Sequence, residues 1–149
     1  WSSDVCFRSS SITGNVFDNE TVLDAAQYVT INANKLGVRS TRFRCLSIGY
    51  LGAVGAKHNT VTSNTLIALT GKQGIEITRC RASIFKGNTI TDANYGIVCT
   101  GTTTANELDN LIIKDNISVS QAGANFPLYS TMIAADTALL QADTNLKVT

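Results

Sequence analysis

The stretch Ile84-Phe85-Lys86-Gly87-Asn88-Thr89-Ile90-Thr91 recurs in degenerate form along the chain. Each copy has an apolar residue three places before an asparagine, a small or turn-forming residue directly before it, and usually an apolar residue two places after it. Intervals of 19, 30, 24 and 28 residues separate the asparagines, which are Asn15, Asn34, Asn64, Asn88 and Asn116. A repeat of this length is typical of solenoids, in which each unit buries its apolar face against its neighbours.

The most complete units, around Asn64 and Asn88, read as strand, asparagine turn, strand, glycine turn, strand. Three short strands per coil, with coils stacked about 4.8 Å apart, form a parallel β-helix. We therefore predict an all-β protein, a right-handed parallel β-helix of about five coils with a C-terminal cap. In the opening stretch, Phe85 and Ile90 are expected to face inward.

The asparagines are assigned to architecture rather than chemistry. An asparagine tolerates the left-handed backbone that a sharp bend requires and hydrogen-bonds to local backbone. Amides of equivalent asparagines can also pair from coil to coil, as in stacked amide ladders.

The repeat pattern changes from about Ala122. We predict a β-helix segment over residues 1–121 and a cap or subunit-contact segment over residues 122–149, because an open solenoid end would template further strand pairing. Within that segment, residues 132–140 fit a short helix and residues 145–149 a last strand. Because the chain starts at Trp1, we expect it to be part of a longer protein.

Composition limits the kinds of partner. Lys and Arg number 12 and Asp and Glu 11, so binding of nucleic acid through bulk charge is not expected. No apolar run is long enough to span a bilayer, and we expect no membrane insertion. The cysteines contain no CxxC pair and are expected to be buried as small hydrophobes, without a metal site or cofactor: Cys6, Cys45, Cys80 and Cys99.

The units around Asn64 and Asn88 resemble the pectate-lyase-like parallel β-helix superfamily, whose coils carry comparable asparagine-turn and Gly-Ile strand patterns. Over residues 5–120 the chain looks most like part of a bacteriophage tailspike or a related receptor-binding protein. That resemblance implies a homotrimer whose β-helices stand side by side and which binds or cleaves bacterial surface polysaccharide.

Glycan hydrolysis requires two carboxylates, about 5 to 9.5 Å apart according to the mechanism. Glu76, between Ile75 and Ile77, is expected to point outward from a strand, and Asp92 lies in a turn of the next unit. These two residues are the candidate catalytic groups. The alternatives are a solvated strand residue and an ordinary turn aspartate.

Arginines form the more coherent pattern, because several flank inward-type residues and can stack on one outer face. Such a ladder suits carboxylate- or phosphate-bearing glycans. A solvated edge or a subunit interface is the alternative. The candidate ligand-binding residues are Arg42, Arg44, Arg79 and Arg81, with Arg8 in a similar context and Tyr95 as an aromatic contact. His58, the single histidine, has no adjacent nucleophile pattern and is taken as a surface residue.

Three functions follow from these expectations. The first is a tailspike segment that binds bacterial surface polysaccharide and helps attach the virion to its host, located in the virion tail after assembly in the host cytoplasm. The second is a polysaccharide depolymerase, either a glycosidase or a lyase. The third is a passive stalk or adhesin, secreted or on a cell surface. The loops at 46–56 and 100–110, which vary between units, are further places to look for function.

Overall fold

A computed structural model describes residues 8–37, 44–49, 55–68, 72–100, 108, 110–119, 126–130, 140–143 and 146–148. Its strands, in chain order, are β1 (Ser11–Thr13), β2 (Val16–Phe17), β3 (Thr21–Leu23), β4 (Thr30–Asn32), β5 (Lys35–Leu36), β6 (Arg44–Ile48), β7 (Ala56–Lys57), β8 (Thr60–Thr62), β9 (Thr65–Ile67), β10 (Gln73–Ile77), β11 (Cys80–Arg81), β12 (Ile84–Lys86), β13 (Thr89–Thr91), β14 (Tyr95–Cys99), β15 (Leu111–Lys114), β16 (Ile117–Val119), β17 (Phe126–Ser130), β18 (Leu140–Asp143) and β19 (Leu146–Val148).

These strands stack into four sheets, and every strand pair is parallel. Sheet 1 runs β1-β4-β8-β12-β15-β18, sheet 2 runs β2-β5-β9-β13-β16-β19, sheet 3 runs β3-β6-β10-β14-β17, and sheet 4 pairs β7 with β11. Each strand thus pairs with the equivalent strand of a neighbouring coil, and strands inside a sheet pair on both sides. The predicted all-β parallel β-helix with three main strands per coil is confirmed, and no helix long and apolar enough to cross a membrane occurs in the described part of the chain.

The interior of the column is a stack of apolar side chains. In sheet 1 Phe85 lies in register between Val61 and Ile113, and all three residues are fully buried. Ile90 occupies the equivalent inward position in sheet 2, next to Leu66. The predicted inward orientation of Phe85 and Ile90 is therefore confirmed.

The five repeat asparagines form a continuous amide ladder between sheets 1 and 2. In the first four asparagines, the side-chain Nδ2 donates to Oδ1 of the asparagine in the next coil, at distances of 2.9 to 3.3 Å. The backbone N–H of each of these four donates to the same Oδ1 atom at 2.9 or 3.0 Å. The predicted pairing of amides along the column is confirmed.

The predicted left-handed conformation of these asparagines is wrong. It is the residue before each asparagine that has a positive φ, from 54 to 70°, namely Gly14, Ala33, Ser63, Gly87 and Asp115. Because the asparagine uses its own N–H and its side chain to bond to the next coil, its backbone must already follow the column. The bend therefore takes place one residue earlier.

A second column of left-handed residues precedes sheet 1 and repeats with the same intervals. Its members are Ser9, Tyr28, His58, Ala82 and Asn110, with φ between 46 and 57°. Asn59, the residue after His58, bonds to the neighbouring coils in the same way as the repeat asparagines. Its Oδ1 accepts a hydrogen bond from the Val29 N–H at 3.0 Å, and its own N–H donates to Ser83 Oγ at 2.9 Å. The sequence analysis did not identify this second turn column.

The C-terminal strands continue the same column. β17, β18 and β19 pair in parallel with β14, β15 and β16, which adds a strand to each of the three main sheets. The predicted last strand is found at β19, whereas the predicted short helix over 132–140 falls almost wholly outside the described residues. That the segment 122–149 caps the column or contacts another subunit stays a prediction.

Candidate functional site

Glu76, the first candidate catalytic residue, is buried in an ion-pair network on the outer side of sheet 3. Its carboxylate accepts a hydrogen bond from Arg44 Nη1, and Arg44 Nε donates to Glu20 Oε1. Glu76 is only 6% exposed, and the three side chains come from successive coils of the sheet. In this arrangement the carboxylate links coils together, and its catalytic role stays a prediction.

Asp92, the second candidate, lies in the turn between β13 and β14, with φ 60° and its N–H donating to the Val119 carbonyl at 2.8 Å. Glu76 is in register with Val98, toward the far end of β14. The two carboxylates thus lie toward opposite ends of sheet 3 rather than facing each other. Tyr95, at the start of β14, is in one register row with Gln73 and Arg44.

The candidate arginines do not form a single ladder. Arg44 is engaged with two carboxylates, Arg79 lies in a left-handed bend after β10, and Arg42 falls outside the described residues. Arg81 lies on β11, on a different face of the column. Arg81 and the residues in register with it form the most cationic row of side chains among the described residues.

We name the row Arg8, Gln27, Lys57 and Arg81 the basic ladder. β-Bridges connect Arg8 to Gln27 and Gln27 to Lys57, and Lys57 pairs with Arg81 between β7 and β11. The four residues therefore occupy four successive coils, about 4.8 Å apart. Arg8 and Arg81 are exposed and Lys57 is half-buried. Within the described residues, no carboxylate pairs with Lys57 or Arg81.

Directly beside the basic ladder, an aromatic pair projects from the second turn column. Tyr28 and His58 stack with a ring-centroid distance of 4.8 Å and an interplanar angle of 13°. Tyr28 is 55% exposed, one of the most exposed large side chains in the described part of the protein. Hydrogen bonds from the Tyr28 N–H to the Lys57 carbonyl and from the His58 N–H to the Arg81 carbonyl fix this column against the ladder, at 3.1 and 3.0 Å.

The described thiols behave as core residues. Cys45, Cys80 and Cys99 are free and buried, as predicted, whereas Cys6 falls outside the described residues. Burial raises the pKa of each of the three to about 12. The described residues also contain no group of three His, Cys, Asp or Glu side chains placed to hold a metal ion.

Comparison with protein families identifies the chain. The family model described as "Periplasmic copper-binding protein (NosD)" matches residues 2–141. The chain belongs to the NosD family. NosD proteins are built from parallel β-helix repeats, so membership agrees with the stacked coils and with the fold part of the resemblance drawn from the sequence. The tailspike part stays a prediction, and neither a curated protein nor a solved structure matches this NosD chain.

Proposed function

We propose that this NosD-family chain binds acidic polysaccharide of the bacterial surface through the basic ladder, as a receptor-binding segment of a tailspike-like protein. The observation that carries the proposal is the register of Arg8, Gln27, Lys57 and Arg81, which aligns three cations along one edge of the column. An acidic polysaccharide is a linear array of anions and is the complement of such a row.

The physical properties of the ladder suit a polymer better than a small anion. One exposed ion pair contributes only about 0 to 1 kcal/mol, so useful affinity requires several pairs formed together. The backbone of the column holds the cations at fixed spacing, which lowers the entropy lost when a chain binds. Arg81 can bind a carboxylate or phosphate with two parallel hydrogen bonds.

Binding to a uronic-acid polysaccharide, measured by calorimetry against its carboxyl-reduced neutral form, tests the proposal. We expect binding of the acidic form only, weakening as salt is raised because the cations are exposed. The double variant Lys57→Gln/Arg81→Gln should lose most of the affinity.

The matched control is Lys35→Gln/Lys114→Gln, which removes the same charge from sheets 2 and 1 and should leave binding nearly unchanged. An equal loss in both double variants would mean that only net charge matters and that the ladder is not a site.

The setting of the protein is part of the same proposal. In a tailspike-like protein the chain works as a homotrimer in the virion tail, where the glycan-binding edge faces the host surface. Sedimentation of the full-length protein tests this setting separately. A monomer that still bound the acidic glycan would rule out the trimeric tailspike and retain the glycan site.

The name of the family raises copper binding as another function, and the described residues do not fit it. Copper sites in proteins use converging thiolate, thioether or imidazole ligands. The three described thiols are buried in the core, where burial raises the pKa of each to about 12, and no group of three His, Cys, Asp or Glu side chains among the described residues is placed to hold a metal ion. His58, the sole histidine, stacks on Tyr28 rather than joining other donors. No step of the proposal uses copper.

A further inference from the structure

Tyr28 and His58 occupy backbone positions that bulky side chains rarely take. Their φ values of 57 and 55° lie in the left-handed region, which favours glycine and, among other residues, asparagine, aspartate and histidine. The other members of the turn column, Ser9, Ala82 and Asn110, share this backbone, so the bend itself belongs to the fold. Tyr28 and His58 differ from them because two adjacent coils both place an exposed ring at this position, which points to a role for the rings themselves.

The rings are stacked along the column. Their centroid separation of 4.8 Å equals the spacing between coils, and the planes are within 13° of parallel. Each ring therefore lies across the column axis, and the stack can be extended at both ends by another ring of similar thickness.

Small side chains stand at both ends of this stack. Ser9 takes the equivalent position one coil before Tyr28, and Ala82 takes it one coil after His58; both are exposed. Each end of the stack therefore presents a small, exposed side chain where a third ring would otherwise lie. The residue directly before each small side chain is an arginine of the basic ladder, Arg8 at one end and Arg81 at the other.

We infer that the aromatic pair is a stacking platform for the sugar rings of an acidic polysaccharide, with the rings seated next to Ser9 and Ala82 and an anionic group on Arg81. The inference rests on the proposed function and assigns its ligand class. The C–H bonds on one side of a pyranose ring carry partial positive charge and are attracted to the negative face of an aromatic ring. A carboxylate or phosphate on the same sugar can then reach the neighbouring guanidinium.

Charge favours a glycan over single-stranded nucleic acid, which also combines stacking with cationic contacts. The formal net charge of the chain is only +1, too small for the broad electrostatic field of a nucleic-acid binder. A short oligothymidylate is therefore included in the test as the competing ligand.

The single histidine allows a direct test by NMR, because its imidazole C–H signals need no assignment among several histidines. We expect a uronic-acid oligosaccharide to shift the His58 signals and its carboxyl-reduced form to bind at least about tenfold more weakly. Tyr28→Asn removes the ring while suiting the left-handed backbone, and should weaken binding about five- to tenfold. Tyr28→Phe, the matched control, should stay within about twofold of the wild type.

The outcomes separate this inference from the proposed function. If Tyr28→Asn binds like the wild type while Lys57→Gln/Arg81→Gln is impaired, the platform is refuted and the ladder stands. If the wild type does not bind the acidic oligosaccharide at all, the proposed function fails together with the platform. Tighter binding of oligothymidylate than of the oligosaccharide would overturn the glycan assignment.

Discussion

Removing one amide from the middle of the asparagine ladder should destabilise the column strongly. In the Asn64→Ala variant four hydrogen bonds are lost. Asn64 Nδ2 donates to the Ile31 carbonyl and to Asn88 Oδ1, and Asn64 Oδ1 accepts from the N–H and from Nδ2 of Asn34, all at 3.0 Å. Asn64 is 1% exposed, so water cannot replace these partners without opening the coil.

The cost depends on which groups are left without a partner. Asn34 Nδ2 still donates to the Ile12 carbonyl, and Asn88 Oδ1 still accepts from the backbone N–H of residue 64. The Asn34 N–H and the Ile31 carbonyl lose the bonds that Asn64 made to them. At about 1 to 3 kcal/mol for each unsatisfied buried group, the free energy of unfolding should fall by about 2 to 6 kcal/mol.

Urea unfolding followed by circular dichroism measures this loss, with the midpoint compared at constant slope. The matched control is Asn15→Ala, which removes an amide of the same ladder from an exposed position in the first described coil. Water can satisfy the groups it leaves, and we expect a loss below about 1 kcal/mol. If Asn64→Ala is no less stable than Asn15→Ala, the ladder does not stabilise the fold and the reasoning fails.

Three further predictions concern the core, the ion-pair network and the thiols. Phe85→Asp places a carboxylate at a fully buried position and should prevent folding. The control Phe85→Leu should lower the free energy of unfolding by only about 1 to 1.5 kcal/mol. An unchanged melting temperature for Phe85→Asp would show that the register is wrong. Glu76→Gln breaks the buried ion pair with Arg44 and should lower the free energy of unfolding by about 2 to 4 kcal/mol without affecting polysaccharide binding. Unchanged stability together with lost binding would instead support a role of Glu76 in the glycan site. Burial raises the pKa of each of the three described thiols to about 12, from an ordinary value of 9.0. Because the unfolded thiols ionise first, their contribution to stability is complete below pH 9 and decreases as the pH rises toward 12. Urea titrations of a Cys6→Ser variant from pH 8 to about 10.5 measure this decrease, and a flat profile would contradict the burial.

Much of the fold could be predicted because its strongest constraints are local and repeated. An asparagine ladder needs one amide per coil, so the asparagine interval measures the coil directly, and Phe85 and Ile90 follow from strand alternation around it. The left-handed residues were misplaced by one position. From sequence, asparagine is itself a good left-handed residue, and only the hydrogen bonds of its own N–H show that the bend precedes it.

The candidate site was harder to predict because it depends on register between coils of unequal length. Arg81 aligns with Lys57, which lies 24 residues earlier, and Ser83 and Asn59 are separated by the same interval. In the coil before, the corresponding interval, from Val29 to Asn59, is 30 residues. Strand alternation predicts an outward orientation for Glu76, but alternation cannot show that Arg44 of the neighbouring coil bonds to its carboxylate. The Tyr28 and His58 pairing could have been found from the sequence, since the two residues are separated by the same interval as Asn34 and Asn64.

The distribution of side chains over the coil indicates where a function can reside in this fold. Inward positions must be apolar and the ladder position must be asparagine, so neither can vary without loss of stability. A residue in the turn column must accept a left-handed backbone, which asparagine does at low cost. Tyr28 and His58 take this position as well, and their rings stack on each other. We place the binding site at this edge of the column, where exposed rings stack beside the basic ladder, rather than on the buried carboxylate of Glu76.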